Sequence, residues 1–224
     1  MIYLLKGDKY MYQISGIPKQ TPPLITVYGE GSLSISPDQA AVTLGVIIEG
    51  EQLQEVQQES AMIITRVINS LLQLGISSEN IQTVVYRIDV QYDYKDGRQI
   101  FRGYQVNHQL QILVDNIELT GKIVDTAVLN GANSVTNIEF KVAHPTLYYH
   151  KALTLAMKDA HGKARVLANE LNVRINPVPQ KVDELISAPI VPFSGPLLAK
   201  AETTPIQPGE ITITANIQTK YSFY

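Results

Sequence analysis

The chain has 224 residues, a net charge of −3, 45% hydrophobic and 17% charged residues, and no cysteine. That length and balance describe a globular chain able to bury a sizeable core, as one large domain or two small ones. The absence of cysteine excludes disulfides, thiolate catalysis and cysteine-bound zinc, and no basic run marks a dedicated nucleic-acid surface.

Residues 1–23 read as an N-terminal arm. Tyr10-Met11-Tyr12 is its apolar patch, and Pro18, Pro22 and Pro23 interrupt regular structure. The apolar run near Met1 is too short for an export signal, and no run reaches transmembrane length. The chain as written therefore predicts a cytoplasmic location. The alternative is a periplasmic or otherwise extracytoplasmic location, if the N-terminus is processed or trimmed.

The domain proper is expected over residues 24–224. Leu24–Glu49 reads as a strand, a Ser36-Pro37-Asp38-Gln39 turn and a returning strand. The first arm carries Val27, Gly29, Gly31, Leu33 and Ile35 on one face. The second carries Ala40, Val42, Leu44 and Val46. The two glycines predict close packing of something against the strand. After Gly50, a three-and-four spacing of Leu53, Val56, Ser60, Ile63, Ile64, Val67, Leu71 and Leu74 predicts a helix ending near Gly75.

Residues 81–94 alternate, with Ile81, Thr83, Val85 and Arg87 on one side and Val84, Tyr86, Ile88, Val90, Tyr92 and Tyr94 on the other. Lys95-Asp96-Gly97-Arg98 is a turn, and a strand returns over about 99–114. This hairpin exceeds the usual strand length of about 5 or 6 residues, so its tip should project beyond the sheet. A short helix with the stripe Ile117, Gly121, Val124 and Val128 follows, then a strand at 135–142. A last helix over about 147–171 has the face Tyr149, Leu153, Ala156, Ala160, Ala164, Leu167 and Leu171. Its alanines imply close approach to a partner surface. A Pro-rich loop at about 188–208 separates a short strand near 182–186 from a final strand at 210–223. The order is ββαββαβα followed by one or two strands. It predicts an α+β fold, an antiparallel or mixed sheet with helices packed on one face and a long projecting hairpin.

Gly29-Glu30-Gly31, Pro37-Asp38-Gln39-Ala40-Ala41-Val42, Gly45-Val46 and Ile81-Gln82-Thr83 together resemble the SIMPL-domain family. So do Arg102-Gly103-Tyr104-Gln105-Val106-Asn107, Gly131-Ala132-Asn133, Asp159-Ala160-His161-Gly162-Lys163-Ala164 and Ile206-Gln207-Pro208-Gly209-Glu210. The match runs from about Ile25 to the C-terminus. The resemblance implies an α+β fold and a largely unknown function. Members of the family include a periplasmic immunogen, bacterial proteins linked to oxidative stress, and an animal protein associated with a receptor-linked kinase. For the bacterial immunogen it implies a large ring-like or channel-like homo-oligomer. It supplies no catalytic residues.

No catalytic, cofactor or metal constellation emerges from the residues themselves. Gly29-Glu30-Gly31-Ser32-Leu33-Ser34 lacks the third glycine and the following helix of a dinucleotide loop. His150 and His161 are eleven residues apart on one helix, about 16 Å by helical rise, too far to share a metal. Asp159 and Lys163 read as a solvated i,i+4 ion pair. Tyr86, Tyr92, Tyr94, Phe101 and Tyr104 crowd the long hairpin. Arg87, Lys95, Arg98 and Arg102 are balanced there by Asp89, Asp93 and Asp96, which favours a packing or subunit interface over base stacking.

The reading is a non-catalytic, self-assembling protein connected with stress or envelope physiology, without cofactor, nucleic acid or integral membrane segment. The candidate interface is Tyr92, Tyr94 and Phe101 on the hairpin with Phe193, Leu197 and Leu198 in the Pro-rich loop. The alternatives are a protein-binding adaptor in signalling and an unrecognised small-ligand binder or enzyme.

Overall fold

Two arms that the sequence reads as one hairpin go to different sheets. A computed structural model describes residues 22–185, 191–193 and 204–224. In it β1 (Leu24–Ile35) pairs antiparallel with β8 (Glu210–Ser222), from Leu24 opposite Ser222 to Ile35 opposite Ile211. Strand β2 (Gln39–Gly50) instead lies between β4 (Arg98–Val114) and β5 (Ser134–Lys141). Ser36-Pro37-Asp38 is thus a crossover, not a hairpin turn. Asp38 pins it to the end of β5: its N–H donates to the Lys141 carbonyl at 3.1 Å, and its Oδ1 accepts the Ala143 N–H at 2.7 Å.

The reason lies in the buried faces. Strand β2 is buried at Ala40, Val42, Leu44 and Val46 and also at Ala41, so it needs a neighbour on both edges. Strand β1 buries Ile25, Val27, Gly29 and Gly31 and leaves Thr26, Tyr28, Glu30 and Ser32 outside. Its glycine half can pack only against something equally smooth. Helix α3 (Pro145–Glu170) supplies that surface with Ala152, Ala156, Ala160, Ala164 and Ala168, every fourth residue, all buried. A Cβ at Gly29 would stand 2.1 Å from the Ala156 carbonyl oxygen, and one at Gly31 would stand 2.2 Å from that of Ala152. The alanine ridge also corrects the helix face expected from sequence. Leu167 and Leu171 point away from it and are exposed.

The second sheet has the order β3-β4-β2-β5, where β3 is Ile81–Lys95. Helix α1 (Leu53–Gln73) connects β2 to β3, and α2 (Thr120–Leu129) connects β4 to β5. Each helix therefore links two strands with a third between them, the split β-α-β (ferredoxin-like) arrangement. Val56, Ser60, Ile64, Val67 and Leu71 of α1 face the sheet, as the three-and-four spacing requires. On α2 the buried set is Thr120, Gly121, Ile123, Val124 and Ala127, while Val128 is exposed. Leu44, Val42, Leu110 and Ile112 are sealed beneath these helices, each worth about 1.5–3 kcal/mol relative to an exposed side chain.

The fold is α+β, with two antiparallel sheets in place of the one expected, each covered by helix on one face. After α3 come β6 (Lys181–Leu185), β7 (Val191–Phe193) and β8, with β6 and β7 both pairing to β8. The whole β2–β5 unit is inserted between β1 and α3 of the first sheet. Of the Pro-rich loop expected at 188–208, the described part is β7 and residues 204–208. Thr204 is bound to α2, its N–H and Oγ1 both donating to the Asp125 carboxylate, and Ile206 packs on the second sheet's core.

Candidate functional site

Strands β3 and β4 continue past the rest of their sheet. Gly50, the last residue of β2, stands opposite Tyr104, so residues beyond Gln91 and Gly103 have no third strand beside them among the described residues. The turn at Asp96-Gly97 has both residues at positive φ, 53° and 73°, the conformation of a tight two-residue hairpin. In the projecting part Tyr92 is 45% exposed, Tyr94 75% and Phe101 50%. The Tyr92 and Phe101 rings stand edge-on with centroids 6.4 Å apart, and Phe101 meets Tyr104 at 5.3 Å. The ladder thus joins Tyr92 and Phe101, two of the aromatic residues singled out from the sequence, with Tyr104, while Tyr94 stands apart near the turn, its hydroxyl accepting a bond from Gln99 Nε2 at 3.2 Å. Phe193 belongs to β7 of the other sheet, its backbone paired with Glu210. Leu197 and Leu198 lie outside the described residues, as do residues 1–21 of the expected arm.

The angle of the projection is set at its base. Gln91 is opposite Gly103 and Tyr92 is opposite Phe101, so Arg102 is an extra, bulged residue. A bulge bends its strand and re-aims the side chain it carries. Arg102 turns back to β2, where Nη2 donates to Glu49 Oε2 at 2.9 Å, and Gln105 Nε2 donates to the other oxygen at 2.7 Å. Gly103 has φ 151°, and a Cβ there would come 2.5 Å from the Gly50 carbonyl oxygen. Glycine is required at this point because the bulge presses the two backbones together. A polar hollow of about 210 Å³ opens between Glu49, Glu51, Gln91, Arg102 and Tyr104. Within the SIMPL resemblance, the Arg102–Asn107 motif is thus the root of the hairpin.

A second bulge sits lower on β3. Thr83 is opposite Leu110 and Val85 is opposite Gln109, leaving Val84 unpaired. This shifts the alternation expected from sequence. Ile81 and Thr83 share the helix-covered side with Tyr86 and Ile88, and Arg87 and Asp89 lie on the other side. The Tyr86 and His108 rings meet in a T-shaped arrangement with centroids 5.0 Å apart, and the Tyr86 hydroxyl accepts a bond from Gln57 Nε2 of α1 at 3.2 Å. Burial lowers the His108 pKa below the ordinary imidazole value. Nothing in the sequence marked His108, whose setting depends on three elements meeting.

The other family-like segments meet on the first sheet. Strand β1 is an edge strand. At its open edge the Glu30 N–H donates to Asp159 Oδ2 at 2.9 Å, and Lys163 Nζ donates to the Tyr28 carbonyl at 3.0 Å. Lys163 also bonds Asp159 at 2.6 Å. The bonds from Lys163 and then from the Glu30 amide hold the Asp159 carboxyl below the usual carboxylate range. The pair is exposed and i,i+4, as its spacing predicts, and in addition it occupies backbone groups that a neighbouring strand would use. An open apolar groove of about 640 Å³ runs beside it, between Val27, Tyr28, Gly162, Val166 and Leu167.

His161 packs edge-on against Tyr221 at 5.7 Å on the α3 side of the first sheet. Among the described residues no three His, Asp or Glu side chains are grouped to hold a metal ion, and no helix is long and apolar enough to cross a membrane.

Two curated relatives and a family model agree on kinship. The 26 kDa periplasmic immunogenic protein of Brucella melitensis is 28% identical over 174 residues, 75% of this chain and 69% of that protein. The Escherichia coli K12 protein named uncharacterized protein YggE is 25% identical over 156 residues, 70% of this chain. The matched part is 63% of the E. coli protein, just under two thirds of its length. The model of the SIMPL family, described as a protein of unknown function (DUF541), matches residues 25–221. That span takes in both described sheets and the helices α1, α2 and α3, and on this ground the chain belongs to the SIMPL family.

Proposed function

We propose that this chain is a non-catalytic, self-assembling protein whose contact element is the projecting β3–β4 hairpin. The observation that carries the reading is the aromatic ladder Tyr92–Phe101–Tyr104, open to water on a hairpin whose angle is held by the Arg102 bulge and the Glu49 bond. A contiguous exposed apolar surface marks a contact site. A rigid root means that ordering the hairpin on binding costs little entropy. The printed name of the Brucella relative favours service outside the cytoplasm, in the envelope, over the cytoplasmic location expected from the chain as written. A role in stress physiology is part of the same proposal.

The adaptor reading has the same surface to work with, since a different protein would cover the ladder equally well. Sedimentation at micromolar concentration separates them. Self-assembly predicts a mass above that of the single chain, lowered by replacing Tyr92, Tyr94 and Phe101 with serine while far-UV circular dichroism stays unchanged. A wild-type protein that remains monomeric, or a triple variant of unchanged mass, would refute self-assembly through the hairpin.

A further inference from the structure

Strand β3 forms one end of its sheet, and its outer edge has no backbone partner among the described residues. It is 15 residues long, and Val84, Val85, Tyr86, Val90 and Tyr92 along it are 36–51% exposed. A long, apolar, open edge is a template for another strand. The same molecule closes the edge of β1 with Asp159 and Lys163, so the open edge of β3 stands in contrast to a closed one.

The order of residues on β3 says which strand fits. Between the bulge at Val84 and the bulge opposite Gln91, β3 is regular over Val85–Gln91, and Ile88 is the middle of that stretch. Arg87 and Asp89 flank Ile88 on the same face, bonded to each other at 2.6 Å with their side chains 63% and 39% exposed. Tyr86 and Val90 flank it on the opposite face. Turn a second copy of the strand by a half-turn about Ile88 and the charged and the aromatic positions meet complements. Arg87 faces the partner's Asp89 and Asp89 faces the partner's Arg87. Tyr86 faces the partner's Val90, an aromatic–β-branched pair of the kind that stabilises antiparallel strands. Val85 faces Gln91, and Ile88 faces Ile88.

We infer that two copies of this chain pair β3 to β3, antiparallel, about a two-fold axis through Ile88. The inference rests on the self-assembly reading and names its partner and register. The axis is perpendicular to the sheet, so the two four-stranded sheets join into one with α1 and α2 of both copies on the same side. Each projecting tip then runs along the lower part of its neighbour's β3. The contact is isologous: one patch supplies both halves, and the commonest closed assembly, a two-fold dimer, results.

The chain has no cysteine, so an introduced thiol is unique. Ile88→Cys is expected to give a covalent dimer on oxidation or with a short thiol-to-thiol crosslinker. Arg87→Cys mixed with Asp89→Cys is expected to crosslink far more than either alone. Arg87→Asp sets like charges opposite each other twice and is expected to weaken dimerisation about tenfold or more. The double exchange R87D/D89R restores complementarity and is expected to recover wild-type mass, which a loss of folding would not do. If wild type sediments as an oligomer but residue 88 gives no self-crosslink, or if Arg87→Cys instead crosslinks to Glu139→Cys on edge strand β5, this pairing is overturned and self-assembly stands. If wild type is monomeric at micromolar concentration, both fall.

Discussion

The Asp159 carboxylate accepts the backbone N–H of Glu30 at 2.9 Å, across 129 residues of sequence. With Lys163 on the Tyr28 carbonyl, α3 presents to β1 one acceptor and one donor at the positions where a neighbouring strand would present its own. Asp159→Ala is expected to speed hydrogen exchange at the Glu30 amide and to cost about 1 kcal/mol or less in urea unfolding, since the site is exposed. It should also raise β1-mediated association, read as mass by sedimentation. Unchanged exchange at Glu30 would refute the clamp.

Gly29 and Gly31 face the alanine ridge with no room for a methyl group, whereas an added Cβ at Gly162 of the same helix meets nothing within 4 Å. Gly29→Ala forces β1 and α3 apart and is expected to cost about 3 kcal/mol or more, above the usual 1–3 for overpacking because the obstruction is backbone. Gly162→Ala is expected to stabilise by up to about 1 kcal/mol through helix propensity. Chemical denaturation of the two single variants gives the comparison. Equal effects would contradict the packing described.

Asp125 on α2 holds Thr204 by both the amide and the hydroxyl, and these bonds lower the Asp125 pKa. A carboxyl lowered in the folded state favours folding above its unfolded value of about 3.9, and that contribution is lost as pH falls through the folded value. Acidification below about pH 4 is therefore expected to free the Thr204 amide, read by hydrogen exchange or by nuclear magnetic resonance. In Asp125→Asn the same amide should show no such pH step. A step of equal size in the variant would place the titration elsewhere.

Much of this was legible in the chain itself. Helix α1, the α+β class, the Asp96-Gly97 turn, the projecting hairpin and the need for close packing at the β1 glycines and at the α3 alanines follow from spacing and side-chain size, which are local properties. The family-like segments were legible too, and the family match runs over residues 25–221. The bulges at Val84 and Arg102 were not, because a bulge is defined by the strand opposite and leaves local alternation looking intact. The setting of His108, isolated in the sequence, was not legible for a related reason: its partial burial and its contact with Tyr86 need β3 and β4 in register.

What the sequence determined by itself is most of the local pattern: the apolar faces of β1, β2 and α1, and that the glycine half of β1 and the alanines of α3 each call for a closely packed partner. What only the tertiary structure decided is which edges pair. Strands β1 and β2 are joined by three residues and have compatible patterns, yet β1 pairs with β8, whose residues are some 190 positions away. Backbone hydrogen bonds are the same for every residue, so pairing carries no local signature. It is settled by the total burial that each arrangement achieves, and here that total requires β2 between two strands and β1 beneath the ridge of α3.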